Sequence, residues 1–275
     1  MKRLALAIAL IAAVHAASGC FPFVNRENVV RVLVFNIHAG KDGGGRDNLA
    51  DVAALVKSTG ADLVLLQEVD RGTNRSGKVD QLQALIDATG HAGVFGRTLD
   101  YDGGQYGIAA LARRGFTFAD TRHLPVRPVQ SRAGGSREPR GVLVGASQTR
   151  LGRLQFFNTH LDASGGDEYR LQEVSQLLLH VRARVAPETP LVVRGDFNAE
   201  PGSAVIKRML DAGLRDAWPE CGAGDGFTYP AAAPVKRIDY LFLPPGVTCT
   251  EAAVLDSNAS DHRPLLVTIR MASVQ

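Results

Sequence analysis

The chain has 275 residues, 45% of them hydrophobic, and carries 31 Lys and Arg against 28 Asp and Glu, a formal net charge of +3. That length and apolar fraction fit one globular domain with a full core, and no internal repeat or Ser/Pro-rich linker divides it. The near balance of charge excludes a globally basic, phosphate-tracking surface, and three cysteines without paired histidines do not make a zinc site.

In chain order, Met1-Lys2-Arg3 is a cationic start and residues 4–14 are an unbroken apolar run, too short to anchor stably across a bilayer. Ala17-Ser18-Gly19 then leads into Cys20. Residues 1–20 resemble a bacterial lipoprotein signal, whose cleavage leaves Cys20 as a lipid-bearing N-terminus; a plain secretory signal is the alternative. Either one exports the protein from the cytoplasm. A lipid on Cys20 would anchor it to a bacterial membrane, facing the periplasm or the cell surface. By the same resemblance, Phe21 after the cysteine favours the outer membrane where the host has one, with the inner membrane left open. Without Lys2 and Arg3, 29 basic side chains face 28 acidic ones, a net charge of +1. Residues 21–30 read as a short linker and 31–275 as a single domain.

Residues 29–36 are a strand. Leu49, Val52, Leu55 and Val56 mark one face of a helix over 48–58, which Gly60 stops. A second buried strand over 62–67 delivers Glu68, a helix over 79–88 ends at Gly90, and 106–113 is again a strand. Strands over 141–148 and 154–158 flank a turn at Leu151-Gly152-Arg153. A long helix over 168–185 carries Leu171, Val174, Leu178 and Val181 on one face, and strands at 190–194, 238–243 and 264–269 complete the pattern. Helices alternating with many short strands predict an α+β sandwich, not a parallel barrel. Cys221 and Cys249 can bridge in an oxidising compartment, and their spacing does not decide whether they do.

Six islands place ionisable or amide side chains on strand ends: FN at 35–36, LLQEVD at 65–70, NTHLD at 158–162, GDFNAEP at 195–201, RIDYLF at 237–242 and SDHRP at 260–264. One rim of a sheet is where a rigid scaffold collects catalytic groups. The oxygen donors Glu68, Asp196, Asn198 and Asp261 suit a hard cation: magnesium, with manganese or calcium as alternatives. Several hydrogen-bonded buried polar groups with no shared chemistry would be the plainer explanation.

These motifs, in this order, resemble the endonuclease/exonuclease/phosphatase superfamily of metal-dependent phosphoesterases, over roughly 31–269. The resemblance implies a four-layer α/β/β/α sandwich of two mixed sheets and hydrolysis of a phosphate ester by in-line attack of an oriented water. It implies Glu68 as first metal ligand, with Asn36 sharing the ion or its water shell and Asp261 as a ligand or an acceptor for its water. It further implies that Asp196 orients the attacking water, and that Asn198 holds a phosphate oxygen or a supporting position behind it. His262 is the candidate imidazole at the scissile phosphate, base or cationic clamp, with Asp239 orienting its ring. His160 is expected to donate to a non-bridging oxygen.

The sequence departs from the abasic-site endonucleases at His38 and His160, where those enzymes carry an acid and a tyrosine. Arg137-Glu138-Pro139-Arg140 resembles the arginine-bearing segment of DNase I, which implies Arg140 at the substrate phosphate. It closes an arginine-rich stretch, Arg122, Arg127, Arg132, Arg137 and Arg140, which is either a substrate-phosphate loop or a solvated one. The substrate is expected to be a lipid head group, a small phosphate ester or nucleic acid. Besides the phosphodiesterase or phosphatase reading, an extracytoplasmic nuclease and a catalytically silent binding lipoprotein are open. The protein is expected to act as a monomer.

Overall fold

The computed structural model describes residues 28–124, 138–184 and 190–271. The expected leader with Cys20, most of the linker, and Arg127, Arg132 and Arg137 lie outside the described residues. The first sheet contains β1 (Val30–Asn36), β2 (Leu63–Arg71), β3 (Ala92–Tyr101), β4 (Gly104–Ala112), β11 (Val247–Val254) and β12 (Leu265–Met271), in the order β11-β12-β1-β2-β4-β3. The second contains β5 (Phe116–His123), β6 (Gly141–Thr149), β7 (Gly152–His160), β8 (Leu191–Asp196), β9 (Arg215–Asp216) and β10 (Asp239–Leu243), in the order β5-β6-β7-β8-β10-β9.

Each sheet has one parallel pair at its centre, β1 with β2 and β7 with β8, and antiparallel neighbours outside it. Both sheets are therefore mixed. The helices are α1 (Leu49–Thr59), α2 (Gln81–Thr89), α3 (Glu168–Arg182), α4 (Ala204–Asp211) and α5 (Ala217–Cys221).

Side-chain alternation sets the layers. Val30, Val32 and Val34 of β1 and Leu63 and Leu65 of β2 point inward, against Leu154 and Phe156 of β7, Val192 of β8 and Leu241 of β10. The intervening Leu33, Phe35, Val64 and Leu66 face outward and are covered by Val52 and Val56 of α1 and by Leu82 and Leu85 of α2. On the far side, Phe157, Val193 and Phe242 are covered by Val174, Leu177 and Val181 of α3 and by Val205, Ile206 and Met209 of α4. The result is the four-layer α/β/β/α sandwich.

The expected strands and helices are present with ends shifted by at most four residues, the largest shift being the extension of β2 from 67 to Arg71. Beyond the expected elements, the fold contains β3, β5, α4, β9, α5 and β11. Cys221 and Cys249 are joined, with Cα atoms 5.8 Å apart, tying α5 to the edge strand β11.

Candidate active site

Because both parallel pairs run the same way, their C-terminal ends meet at one rim. Asn36 ends β1, His160 ends β7 and Asp196 ends β8, with His160 in register with Asp196. Asp239 opens β10 directly opposite Asp196. His262 precedes β12.

Glu68 needs a special device. Strict alternation along Leu63, Leu65 and Gln67 would send it to the helix-covered face. The pairing of β2 with β4 slips between Leu66 and Val69, and Glu68 takes a φ of 56°. The bulge turns its carboxylate to the rim, at the cost of a left-handed backbone at a residue with a Cβ.

Gly195 is required by close approach as well as by backbone angle. Its φ is 143°, and a Cβ there would lie 1.8 Å from the carbonyl oxygen of Thr159. Asn198 also sits in the left-handed region, at φ 46°, which asparagine tolerates better than most residues.

The polar groups converge on Asp196. Its Oδ1 accepts from the Asn198 backbone N–H at 2.8 Å, an Asx turn that fixes the carboxylate. Its Oδ2 accepts from Asn36 Nδ2 at 3.1 Å and lies 3.6 Å from the Nε2 of both His160 and His262. Asn36 Nδ2 also donates to Glu68 Oε1 at 2.9 Å, while Asn36 Oδ1 accepts from the His38 backbone N–H at 3.0 Å. His262 Nδ1 pairs with Asp239 Oδ2 at 2.9 Å. Among the described residues, Asp196, Asp239 and His262 form an acid and imidazole cluster with ligand atoms within 4.8 Å of one another.

The two imidazoles are held in opposite states. Arg140 Nη1, itself donating to Glu138 Oε1 at 2.8 Å, lies 2.9 Å from His160 Nδ1. A guanidinium can only donate, so Nδ1 accepts and the proton of His160 sits on Nε2, toward Asp196. Burial, then the Arg140 and His262 charges, hold the His160 pKa well below its ordinary value, so the ring is neutral. Burial opposes protonation of His262 too, but the Asp239 and Asp196 carboxylates outweigh it and raise its pKa to about 10. Asp196 is pushed up to about 7 by burial, with Asp239 adding to the rise while the His262 charge and the Asn198 and Asn36 hydrogen bonds oppose it.

A cavity of about 1020 Å³ opens over this rim, and its wall includes Glu68, Arg140, His160, Asp196, Asn198, Asp261 and His262. Asn36 and Asp239 stand behind that wall, bonded to the residues that line it. Asp261 lies 3.8 Å from His38 Nδ1 and accepts from Ser260 Oγ. Asn198 Nδ2 donates to the Leu161 carbonyl at 3.0 Å, so this amide braces the strand end. Arg140 reaches the site as well, with Nη1 held by Glu138 and His160. Arg122 does not: it is on β5, paired with Asp120.

Sequence reasoning missed Arg75, Tyr101, Tyr106, Arg170, Tyr229 and Lys236 on the same wall. The Tyr229 ring lies 4.9 Å from that of His262, and the Arg75 guanidinium lies 4.7 Å from the Tyr101 ring centre. Tyr229 and Lys236 belong to a long loop with no periodicity to announce them. Tyr101 and Tyr106 flank a hairpin whose first strand was not seen.

The sequence pattern of the Endonuclease/Exonuclease/phosphatase family matches residues 33–262. Uncharacterized protein YbhP of Escherichia coli K12 is 25% identical over 255 residues, 88% of this chain and 96% of that protein. A solved endonuclease/exonuclease/phosphatase from Beutenbergia cavernae has a TM-score of 0.74 at 22% identity, covering 89% of this chain and 72% of the other. The mannosyl-6-phosphatase of Bacteroides thetaiotaomicron has a TM-score of 0.71 at 20% identity, covering 87% and 99%.

Proposed function

The chain belongs to the endonuclease/exonuclease/phosphatase family, and from that premise we propose that it hydrolyses phosphate esters outside the cytoplasm with the help of magnesium. The observation that carries this reading is the convergence of Asn36, His160 and His262 on one carboxylate, Asp196, at the mouth of a cavity.

The donor chemistry fits a hard divalent cation. Glu68, Asp196 and Asp261 bring three carboxylates to one cavity wall, and burial drives up the pKa of Asp196. Glu68 would hold the metal, with Asp261 as a further oxygen donor on the same wall; the Asn36 amide turns its nitrogen to Glu68 and its oxygen to the His38 N–H, so it positions the Glu68 carboxylate. When bound, magnesium supplies neutralising charge for the phosphate and its leaving oxygen.

The chain's own groups do the rest. His262, kept cationic by Asp239, presents Nε2–H to a phosphate oxygen, and His160 presents its own Nε2–H to the same place. The clamp role for His262 follows from its raised pKa: an imidazolium has no lone pair with which to act as a base. Asp196, fixed by Asn198 and Asn36, orients the attacking water and accepts its proton. Arg140 acts through His160, by setting its tautomer. The Cys221–Cys249 bridge fits an oxidising compartment, in agreement with an exported protein lipidated on Cys20.

The test is a panel of bis-p-nitrophenyl phosphate, p-nitrophenyl phosphate and DNA, assayed with magnesium and with excess chelator. Turnover of at least one ester that chelator removes and magnesium restores is the expected result. Full activity in chelator would overturn the metal assignment, and no turnover of any phosphate ester would leave the binding-lipoprotein reading in its place.

A further inference from the structure

The end of the sandwich opposite the site is basic. Arg31 is the second residue of β1, Lys57 lies in the last turn of α1, Arg113 and Arg114 follow β4, Arg150 sits at the turn between β6 and β7, and Arg153 is the second residue of β7. The two sheets bring these ends together. Leu63, the first residue of β2, pairs with Ala112, the last of β4, and Thr149 pairs with Gly152 across the turn. Three of the guanidiniums gather around one short segment. The Arg150 side chain lies 3.7 Å from Asp62 Oδ2, and a Cβ built on Gly60 would be 3.7 Å from both Arg31 and Arg113. Asp62 ties the three strand ends together: beside the Arg150 guanidinium, its Oδ2 accepts the Arg31 backbone N–H and its backbone carbonyl accepts the Arg113 backbone N–H. Lys57, Arg113, Arg114, Arg150 and Arg153 are exposed.

A second observation points to what this face meets. The chain enters the fold here, because β1 starts at Val30 with Arg31 next to it. Cys20 is ten positions upstream, a tether of at most about 35 Å fully extended. A lipid on that cysteine would hold the basic end close to the bilayer. Each Lys or Arg near an anionic surface adds about 1 kcal/mol of attraction, and one acyl chain alone is a weak anchor.

We propose that this basic face docks on anionic phospholipid head groups. It builds on the N-terminal lipidation reading and sharpens the substrate class. β1 runs seven residues from the docked end to Asn36, a rise of about 23 Å, so the cavity faces away from the anchoring bilayer. The substrate is then a water-soluble phosphate ester, not a head group of the membrane that carries the enzyme.

The experiment is vesicle flotation of the full chain with phosphatidylcholine alone or mixed with phosphatidylglycerol. It is repeated with Arg113→Glu, Arg114→Glu, Arg150→Glu and Arg153→Glu combined. Both proteins share one N-terminus, so the difference between them reports the face alone. The unaltered chain should prefer the anionic vesicles by about tenfold or more, and the variant should lose that preference. A milder pair, Arg114→Glu with Arg153→Glu, leaves the Asp62 contacts intact and should lose part of it. High salt, with a Debye length of about 3 Å at 1 M, should abolish it in the unaltered chain. Equal partition of the unaltered chain between the two vesicle types, or an unchanged anionic preference in both variants, would overturn the proposal. Because the readout is partition, failure here leaves the phosphoesterase reading standing. Failure of turnover leaves the docking result standing.

Discussion

At the scale of single residues, the site depends on where protons rest. In the metal-free protein His262 is expected to stay protonated up to about pH 10, while His160 remains neutral at pH 7. Asp239→Asn removes the carboxylate that contributes most to the rise, so the His262 pKa should fall; imidazole 15N shifts followed by NMR read this directly. An unchanged titration would refute the pairing. The sign carries over to stability. The folded pKa lies above the unfolded value of about 6.5, so the stabilisation is full below pH 6.5 and is lost as pH rises toward 10. The stability gap between the native protein and Asp239→Asn should close over that window. Gly195 gives a second prediction. A Cβ 1.8 Å from a backbone oxygen has no flexible neighbour to push aside, so Gly195→Ala should cost about 3 kcal/mol or more in a denaturant titration. A loss within experimental error would mean that β7 and β8 can separate freely.

At the scale of elements, the strands that deliver the site were legible because they are continuous apolar runs ending in polar residues. Residues 62–67 before Glu68 and 190–194 before Asp196 are examples. The bulge in β2 was not legible, since nothing in LLQEVD marks a positive φ at glutamate. Strands β3, β5 and β11 were missed because they lie at or next to sheet edges and mix exposed polar with small residues, which blurs the period of two. Helix α4 is short and begins with a Ser203 cap that accepts from the Ile206 N–H, a signal present in the sequence but not used. The Arg194 side chain in β8 was read as part of a strand, yet it lies fully buried between the sheets. Its Nη1 reaches the Leu33 carbonyl at 3.5 Å, whereas its Nε and Nη2 have no partner. Burial drives its pKa well below the ordinary value. An uncompensated buried cation is costly, so Arg194→Met should be neutral or stabilising, by about 1–4 kcal/mol in thermal or urea unfolding. Marked destabilisation would reveal a counter-charge or ordered water that satisfies it.

At the scale of the whole molecule, two sheets with one parallel pair each create a single functional rim and leave the other end for a different task. The family and the four layers could be read from six short motifs spread over the chain. The cavity wall could not, because Arg75, Tyr101 and Tyr229 reach it from a loop and a hairpin that no local pattern connects. The disulfide ties α5 to the edge strand across 28 residues. Replacing Cys221 and Cys249 with Ala should lower stability by about 3–4 kcal/mol, measured as the shift in urea midpoint, with little effect on turnover. In the proposed reaction Asp196 handles the attacking water while the imidazoles hold the phosphate. The most direct test is the single-turnover rate of Asp196→Asn on the best phosphate ester of the panel, at saturating magnesium, with the fold checked by its melting curve. The side chain keeps its shape and loses its charge, so the rate should fall about a hundredfold or more with the melting temperature unchanged or raised. A rate close to that of the unaltered protein would mean that the Asp196 carboxylate does not handle the attacking water.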